Sequence, residues 1–340
     1  MMASTVYYIK AGWKAGALSR LFTRHFSDLI ERESLTALKL HMGESFNPRF
    51  LKPKYAKEIA SAVRNLGGRP FLTDTTTLYQ RGRFTAVDYL ETARSNGFSH
   101  DATGAPVVIA DGLLGEHGVK VSVSGLLKEV EVAQAIYESE VLVSLAHCTG
   151  HISFGYGGAL KNIGMGCVTK NGKRMVHCHG APVLDEQKCI GCGECAKACP
   201  YGVITVRKHA CFNLLWCVSC GRCIAACPQK ALCNPEDWFD TYVRALVESA
   251  AGVVKNFYGK ACFFNFLLNV AEGCDCAPKT SLVTKDIGVL ASRDLVTVEQ
   301  ASLDLIRKRK KDFAPEADCQ IKHAVKNKLG SKSYELVEIS

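Results

Sequence analysis

The chain has 340 residues, of which 47% are hydrophobic and 17 are cysteines, so it is long enough to bury a sizeable core. Its formal charge is +9, and a basic run, RKRKK, stands at residues 307–311. The absence of a secretory leader and of a long apolar run predicts a cytoplasmic protein with reduced thiols and no membrane partner.

Strand-like and helix-like segments alternate through the first 150 residues. Short apolar runs predict strands at residues 6–9, 35–40, 71–73, 107–111, 119–123 and 141–146. Apolar residues recurring at helical spacing predict helices at residues 18–29, 54–66, 84–96 and 126–137. This order is typical of an α/β fold, and we expect a three-layer domain with a largely parallel sheet.

Polar residues follow several of these strands, where the carboxyl ends of a parallel sheet form the usual ligand crevice. The residues expected to meet there are Glu44, Asp74, Thr75, Asp111, His147 and His151. We select Asp74, His147 and His151 as catalytic candidates, together with Lys161 from the next motif.

The glycine-rich stretch GYGGALKNIGMG at residues 155–166 places small residues and a lysine at a predicted helix start. Backbone amides and a cation in this arrangement can bind an anion such as phosphate. The alternative is a helix packed tightly against the sheet through its glycines. The binding candidates are Gly155, Gly157, Gly158 and Asn162, with Lys161 as the charge carrier.

The motif C-x2-C-x2-C-x3-C-P occurs twice, and its second copy begins 28 residues after the first. This is the pattern of bacterial ferredoxins with two 4Fe-4S clusters, in which the fourth cysteine of each motif ligates the other cluster. The first predicted ligand set is therefore Cys189, Cys192, Cys195 and Cys227, and the second is Cys217, Cys220, Cys223 and Cys199. A pair of four-cysteine zinc sites is the alternative, although such sites do not need the third cysteine.

The α/β pattern resumes after this segment. We expect a helix capped by Asn234, strands at residues 261–270 and 287–291, and a last core helix opened by Thr297. The predicted divisions are an α/β domain in two parts, 1–182 and 234–311, an inserted bacterial-type 2x 4Fe-4S ferredoxin module at 183–233, and a peripheral helix and tail at 312–340. The basic run is interpreted as the solvated end of the last core helix.

Two further cysteine motifs lie outside the repeat. Cys274-Asp275-Cys276 follows a predicted strand, so its thiols could hold an additional thiophilic metal or act as a redox pair in the crevice. The run His177-Cys178-His179 is equally rich in potential ligands, but we favour ordinary buried residues there.

The motif order resembles that of one known family. TDTTTLY at 73–79, the glycine-rich stretch, the double cysteine motif, CDC at 274–276 and DIGVLASRDLVTVEQASLDLI at 286–306 resemble the iron-sulfur family catalogued as domain of unknown function 362. The resemblance implies an iron-sulfur protein with an internal ferredoxin segment. The chain departs from the family pattern at Thr149, where Lys is expected, and at Leu295 and Glu299, where the family has Pro and Asp.

These observations favour an iron-sulfur oxidoreductase that passes single electrons to a substrate or metal centre in the crevice. The alternative is a ferredoxin-type electron carrier that docks to a partner enzyme. Both hypotheses require a redox partner protein, and the first also requires a small-molecule substrate. A nucleic-acid-binding or regulatory protein is disfavoured, because basic and aromatic residues are not interleaved in the chain.

Overall fold

The computed structural model describes residues 3–278 and 280–339. Its strands, in chain order, are β1 Ser4–Lys10, β2 Leu35–Lys39, β3 Arg69–Asp74, β4 Val107–Ile109, β5 Gly118–Ser122, β6 Glu129–Ala133, β7 Val141–His147, β8 Thr149–His151, β9 Gly155–Gly157, β10 Val183–Leu184, β11 Ile204–Val206, β12 Ala210–Phe212, β13 Leu232–Cys233, β14 Ala261–Leu267, β15 Gly288–Ser292 and β16 Tyr334–Glu338.

The α-helices are α1 Ala17–Phe26, α2 Pro53–Asn65, α3 Ala86–Ser95, α4 His100–Thr103, α5 Gln134–Tyr137, α6 Ala159–Gly164, α7 Lys170–His177, α8 Glu194–Ala198, α9 Arg222–Ala225, α10 Trp238–Lys255, α11 Leu295–Arg307 and α12 Ala317–Lys326. Short 3-10 helices span Ser27–Leu29, Cys178–Gly180 and Leu214–Trp216. None of the helices within the described residues is long and apolar enough to cross a membrane.

Eight strands form one sheet in the order β16-β1-β15-β14-β7-β2-β3-β4. Only β15 runs against its neighbours, and the other adjacent pairs are parallel. At the centre, Leu38 lies opposite Leu72 on one side and Val143 on the other. The predicted α/β fold with a largely parallel sheet is confirmed.

Each face of the sheet carries its own apolar core, as a three-layer fold requires. Consecutive residues of a strand point to opposite faces, so Ala37 packs into one core and Leu38 into the other. Helices α1, α2 and α3 cover the face of Leu38, while α6, α7, α10, α11 and α12 cover the face of Ala37. The carboxyl ends of the parallel strands meet at one edge of the sheet, between these two layers.

The helix predicted at residues 126–137 is wrong. Residues 129–133 form β6, which pairs with β5 in a separate antiparallel hairpin, and only Gln134–Tyr137 is helical. The sequence EVEV explains the difference, because Val130 and Val132 alternate with half-exposed glutamates at a period of two. The predicted strand at 119–123 is real, but it lies in this hairpin and not in the main sheet.

Two predicted helix starts are also wrong. Helix α11 begins at Leu295 and not at Thr297, because the carboxylate of Asp294 accepts the Thr297 amide at 2.9 Å and caps the helix. Helix α10 begins at Trp238, four residues after the predicted cap at Asn234. In both cases several capping residues stand close together, and local sequence does not choose between them.

The segment after residue 311 is more integrated than a peripheral helix and tail. The helix is present as α12, with Ala317, Ile321 and Ala324 buried against the core. The chain then returns as β16, which pairs in parallel with β1 at the edge of the main sheet. The basic run lies at the end of α11, where Arg307 pairs with Asp318 and residues 308–311 are exposed.

We expect Asp294→Ala to destabilise the fold more than a change at Thr297. Asp294 caps α11 and also accepts hydrogen bonds from the Ser331 amide and the Ser4 hydroxyl, both at 3.0 Å. Losing the cap costs about 0.5–2 kcal/mol, and each further bond adds roughly 1 kcal/mol. Thr297→Val removes only the hydroxyl bond to the Ser331 carbonyl. Urea unfolding followed by circular dichroism measures both, and equal losses would contradict the assignment of the cap.

Candidate active site

A buried ion pair lies at the carboxyl edge of the central strands. Lys39, the last residue of β2, places its Nζ 2.9 Å from the carboxylate of Asp74, the last residue of β3. The same Nζ donates to Oδ1 of Asn162 at 2.7 Å, and the Asn162 amide nitrogen returns a bond to the Lys39 carbonyl. Asn162, a predicted cofactor-binding residue, therefore orients the buried Lys39 ammonium.

A second ion pair extends this network. Arg83 binds Glu44 through Nη2 at 2.6 Å and through Nε at 2.7 Å, and both side chains are buried. Its Nη1 lies 3.9 Å from Asp74, which also accepts a hydrogen bond from the Tyr89 hydroxyl. Burial raises the pKa of Asp74, but Lys39, followed by His41 and Arg83, outweighs it and holds that pKa below its usual value. This geometry favours a structural anchor over a catalytic acid at Asp74.

A third polar group forms beside the ends of β3 and β4. Asp111 accepts the backbone amide and the hydroxyl of Thr76, at 3.0 and 2.8 Å. Nearby, the Lys173 ammonium donates to the Thr75 hydroxyl at 2.6 Å. Burial lowers the pKa of Lys173 to about 8, so its charge is sensitive to pH close to neutrality. The expected grouping of Asp74, Thr75 and Asp111 is therefore present, with Lys173 as an unexpected member.

His147 positions the two thiols of the CDC motif. Its Nδ1 lies 2.8 Å from the Asp275 carboxylate and its Nε2 lies 2.5 Å from the Leu268 carbonyl, so neither ring nitrogen is free. Burial lowers the pKa of His147, but Asp275 and the two hydrogen bonds raise it overall. Because Asp275 stands between Cys274 and Cys276, this anchor fixes both sulfur atoms, which are 2.8 Å apart.

Cations surround the thiol pair. A hydrogen bond from Cys274 lowers the pKa of Cys276, and burial opposes this shift. The charge of Lys161, a contact with His41 and the charge of Arg83 lower the pKa of Cys276 further. The Tyr79 hydroxyl also contacts Cys276. Lys161, a predicted catalytic residue, therefore acts on thiols at this site. An electropositive setting of this kind is typical of reactive cysteines.

His151 lies close to the same group but is held as a neutral ring. Its Nδ1 accepts the amide protons of Ser153 and Phe154, at 3.2 and 3.1 Å. Burial, followed by the charge of Lys161, lowers the pKa of His151 well below its usual value. The pKa values of the two predicted catalytic histidines therefore shift in opposite directions, because His147 has a carboxylate partner and His151 is buried beside a cation.

The glycine-rich stretch packs against the protein's own polar groups. The amide of Ala159, at the start of α6, donates to Glu299 at 2.6 Å and to Asn265 at 3.0 Å. A side chain at Gly158 would collide with Glu299 and Tyr156. These contacts favour tight packing over an anion loop at Gly158, whereas added side chains at Gly155 and Gly157 would come no closer than 3.2 Å to any neighbour. Glu299, one of the departures from the family pattern, is thus a structural partner of α6.

The eight repeat cysteines fall into two groups around two separate cavities. One cavity is lined by Cys189, Cys192, Cys195 and Cys227, and the other by Cys199, Cys217, Cys220 and Cys223. Each group contains three cysteines from one motif and the fourth from the other motif. These are the two sets that the crossing pattern predicts.

His177 links the second cysteine group to the crevice. The Ser219 hydroxyl, in the loop between Cys217 and Cys220, donates to the His177 backbone carbonyl. The His177 ring contacts the Tyr242 hydroxyl at 2.7 Å and the backbone of Val218. Burial, then the charges of Lys161 and Lys173, lower its pKa to about 4. His177, which the sequence suggested was an ordinary buried residue, thus lies between the two sites.

An open cleft of about 500 Å³ separates the cysteine segment from the loop after β3. Tyr79 and Cys220 both line it, so the cleft lies beside the second cysteine group and close to the thiol pair. Arg81, Arg174 and Arg222 also line the cleft, and none of the described lining residues is acidic. The cleft is therefore positively charged.

A separate group of potential metal ligands lies between α10 and α12. Nε2 of His323 is 2.9 Å from the carboxylate of Asp240, and the Cys319 sulfur is 3.5 Å from the same oxygen. The His323–Asp240 contact pairs Nε2 with the carboxylate, and Nδ1 of His323 is buried without a hydrogen-bond partner among the described residues. We assign no function to this group.

Sequence patterns missed much of the site. The residues that only the structure brings in are Lys39, His41, Tyr79, Arg83, Lys173 and Asp275. Lys39 could have been suspected, because it is a charged residue within a buried strand. Tyr79 lies in the TDTTTLY motif and Asp275 in the CDC motif, but nothing in the spacing of either residue indicates a role.

The model of the family described as "Domain of unknown function (DUF362)" matches residues 36–304, which is most of the chain. The chain therefore belongs to this family, as the motif order indicated. A search of the curated proteins gives no match.

Two solved structures resemble most of the chain. The lactate racemase apoprotein from Thermoanaerobacterium thermosaccharolyticum shares 11% identity with a TM-score of 0.45, over 90% of this chain and 57% of that one. A structural-genomics protein from Thermotoga maritima shares 10% identity with a TM-score of 0.40, over 94% of this chain and 61% of that one. The chain spans less than two thirds of the length of either protein.

We expect Asp74→Ala to cost about 3–5 kcal/mol of stability, because it leaves Lys39 buried without its counter-charge. The matched control is Glu129→Ala, which breaks the exposed pair with Lys120 and should cost under about 1 kcal/mol. Anaerobic chemical unfolding followed by circular dichroism measures both changes.

The stabilisation from Asp74 also depends on pH in a defined direction. Its pKa is lowered in the fold, so the stabilisation is present above the ordinary carboxyl pKa and is lost as pH falls through the folded value. The difference between wild type and Asp74→Ala should therefore shrink in acid. A stable, inactive variant would instead indicate that Asp74 acts in catalysis.

Proposed function

We propose that this member of the family is an iron-sulfur oxidoreductase that passes single electrons through two 4Fe-4S clusters to a substrate or metal centre in the crevice. The grouping of eight cysteines around two cavities, four to each, carries this proposal. Each cavity matches the crossed ligand set of a two-cluster ferredoxin segment.

Local backbone geometry supports clusters in preference to zinc. Gly193 and Gly221 occupy equivalent positions in the two motifs and have φ of 79° and 71°, which a residue with a side chain rarely adopts. A side chain at Gly191 would collide with the carbonyl of Lys208. These glycines let the backbone turn closely around each cavity. The third cysteine of each motif, Cys195 or Cys223, is buried and points inward with an apolar lining.

Cys189, Cys192, Cys195 and Cys227 would hold the first cluster, and Cys217, Cys220, Cys223 and Cys199 the second. A bound 4Fe-4S cluster supplies one-electron redox chemistry, and its potential depends on hydrogen bonding and burial. The protein supplies two such hydrogen bonds: the Ser219 amide donates to the Cys217 sulfur at 3.4 Å, and the Ala231 amide donates to the Cys227 sulfur at 3.3 Å. Such bonds stabilise negative charge on the ligating sulfur atoms.

The second cysteine group is the one that faces the crevice. Ser219 contacts His177 on one side, and Cys220 shares the cleft with Tyr79 on the other. The arginine-lined cleft suits an anionic substrate or an acidic surface of a redox partner, because its charge is uncompensated by any described lining residue. We therefore infer that electrons enter or leave the crevice beside this group.

The hypothesis of a ferredoxin-type electron carrier explains fewer features of the structure. A carrier needs two clusters and a docking surface, but it does not need a buried charge network or a positioned thiol pair next to them. The grouping of Lys161, Cys274 and Cys276 at the carboxyl edge favours chemistry in the crevice.

Anaerobically purified protein should contain about eight irons and eight sulfides, since each cubane cluster holds four of each. Cys199→Ser should reduce the iron content to about four and remove the signal of the second cluster, because Cys199 crosses to Cys217, Cys220 and Cys223. Iron analysis and the paramagnetic spectrum of reduced protein measure these changes.

The matched control is Cys211→Ser, which removes an exposed cysteine of the same segment that lies outside both motifs. It should retain about eight irons, like the parent protein. Zinc in place of iron would overturn the cluster proposal. Loss confined to the first cluster in Cys199→Ser would show that each motif keeps its own fourth ligand.

A further inference from the structure

Cys274 and Cys276 stand apart from the other cysteines outside the repeat. Their sulfur atoms are 2.8 Å apart, and both side chains are only partly buried. Cys148, Cys167 and Cys262, by contrast, are fully buried, and burial raises the pKa of each thiol, which makes them unreactive. The pair therefore has the proximity and the access that thiol chemistry requires.

The loop that carries the pair is held from several directions. His147 binds the Asp275 side chain, and Asn47 donates to the backbone carbonyls of Asp275 and Ala277, at 3.3 and 2.9 Å. Gly150 packs directly on the backbone of Glu272, where a side chain would collide. The two sulfur atoms are thus presented by a fixed backbone at the sheet edge.

The groups around the sulfur atoms suit a thiolate. Lys161 and Arg83 act on Cys276 through their positive charge, and the His41 ring lies beside it. Nδ1 of His41 accepts the Gly43 amide at 2.7 Å, and its Nε2 is buried without a hydrogen-bond partner among the described residues. A ring N–H beside Cys276 can stabilise a negative sulfur.

The pair is also connected to the second cysteine group. Tyr79 contacts Cys276 through its hydroxyl and lines the cleft that Cys220 also lines. One aromatic side chain therefore lies beside Cys276 and also borders the cleft next to the second cysteine group.

We propose that Cys274 and Cys276 form a redox-active dithiol that cycles with an intramolecular disulfide. Oxidation by a two-electron acceptor, such as a disulfide substrate, converts one thiol and one thiolate into a sulfur-sulfur bond, with two electrons passing to the acceptor and one proton to solvent. Reduction consumes the same two electrons and one proton. Only the source of the electrons for this reduction rests on the proposed function. Two reduced 4Fe-4S clusters can each donate one electron, and one disulfide requires two.

The test uses full-length, cluster-containing protein purified anaerobically. The protein is treated with the thiol oxidant diamide, quenched in acid, alkylated under denaturing conditions and examined by peptide mass spectrometry. We expect Cys274 and Cys276 in one peptide that carries an internal disulfide. Dithionite, a one-electron donor, should convert both residues to alkylated thiols. The fraction of disulfide across a series of redox buffers should follow a two-electron transition.

Single variants separate the pair from general thiol oxidation. Cys274→Ser and Cys276→Ser should each abolish the disulfide while keeping the iron content of the parent protein. The control Cys319→Ser removes a cysteine of similar exposure outside the site and should leave the disulfide unchanged. Lys161→Met keeps both sulfur atoms and should slow disulfide formation several-fold, because it removes a cation that favours the thiolate.

Two outcomes would overturn the dithiol. One is a pair that stays fully alkylated after diamide in protein with intact clusters. The other is a stoichiometric zinc or extra iron that both serine variants lose, which would make the pair a metal site. A disulfide that dithionite reduces equally fast in protein with and without clusters would uphold the dithiol and refute the proposed source of electrons, so the two failures are distinguishable.

Discussion

The buried charges of Lys39, Asp74, Arg83 and Glu44 are the constraint on which the crevice depends. Removing charged groups from water is costly, and the cost is recovered only when each has a partner in good geometry. The network therefore ties the end of β2 to the end of β3 and to the loop that follows β3. A different arrangement of these loops would leave at least one charge buried without a partner.

The same loops carry the reactive groups. The loop after β3 continues from Asp74 to Tyr79, the loop after β2 contains His41, and the loop after β14 holds the two thiols. His147, at the end of β7, fixes the thiol loop through Asp275. Four parallel strands thus deliver four loops to one place, as expected for a sheet of this type. The charge network provides rigidity, and the thiol pair provides chemistry.

The cysteine segment contacts this crevice through few groups. Ser219 and Val218 contact His177, while Cys220 and Tyr79 share the arginine-lined cleft. These contacts all involve the second cysteine group, so the two groups are not equivalent with respect to the crevice. An electron-transfer function would use this asymmetry, with the first group further along the path and the second beside the acceptor.

The sequence by itself determined the alternating elements, the largely parallel sheet and the paired cysteine sets, because each depends on residues close together in the chain or on a repeat. It could not determine the partner of Lys39, which lies 35 residues away, or the surroundings of Cys276, which come from the loops after β2 and β3 and from helix α6. The helix predicted at 126–137 was wrong because apolar residues near Val130 and Val132 also fit a helical spacing and hid the strand-like alternation of these two valines. Charge pairing and burial are properties of the assembled sheet, and only the tertiary structure decided them.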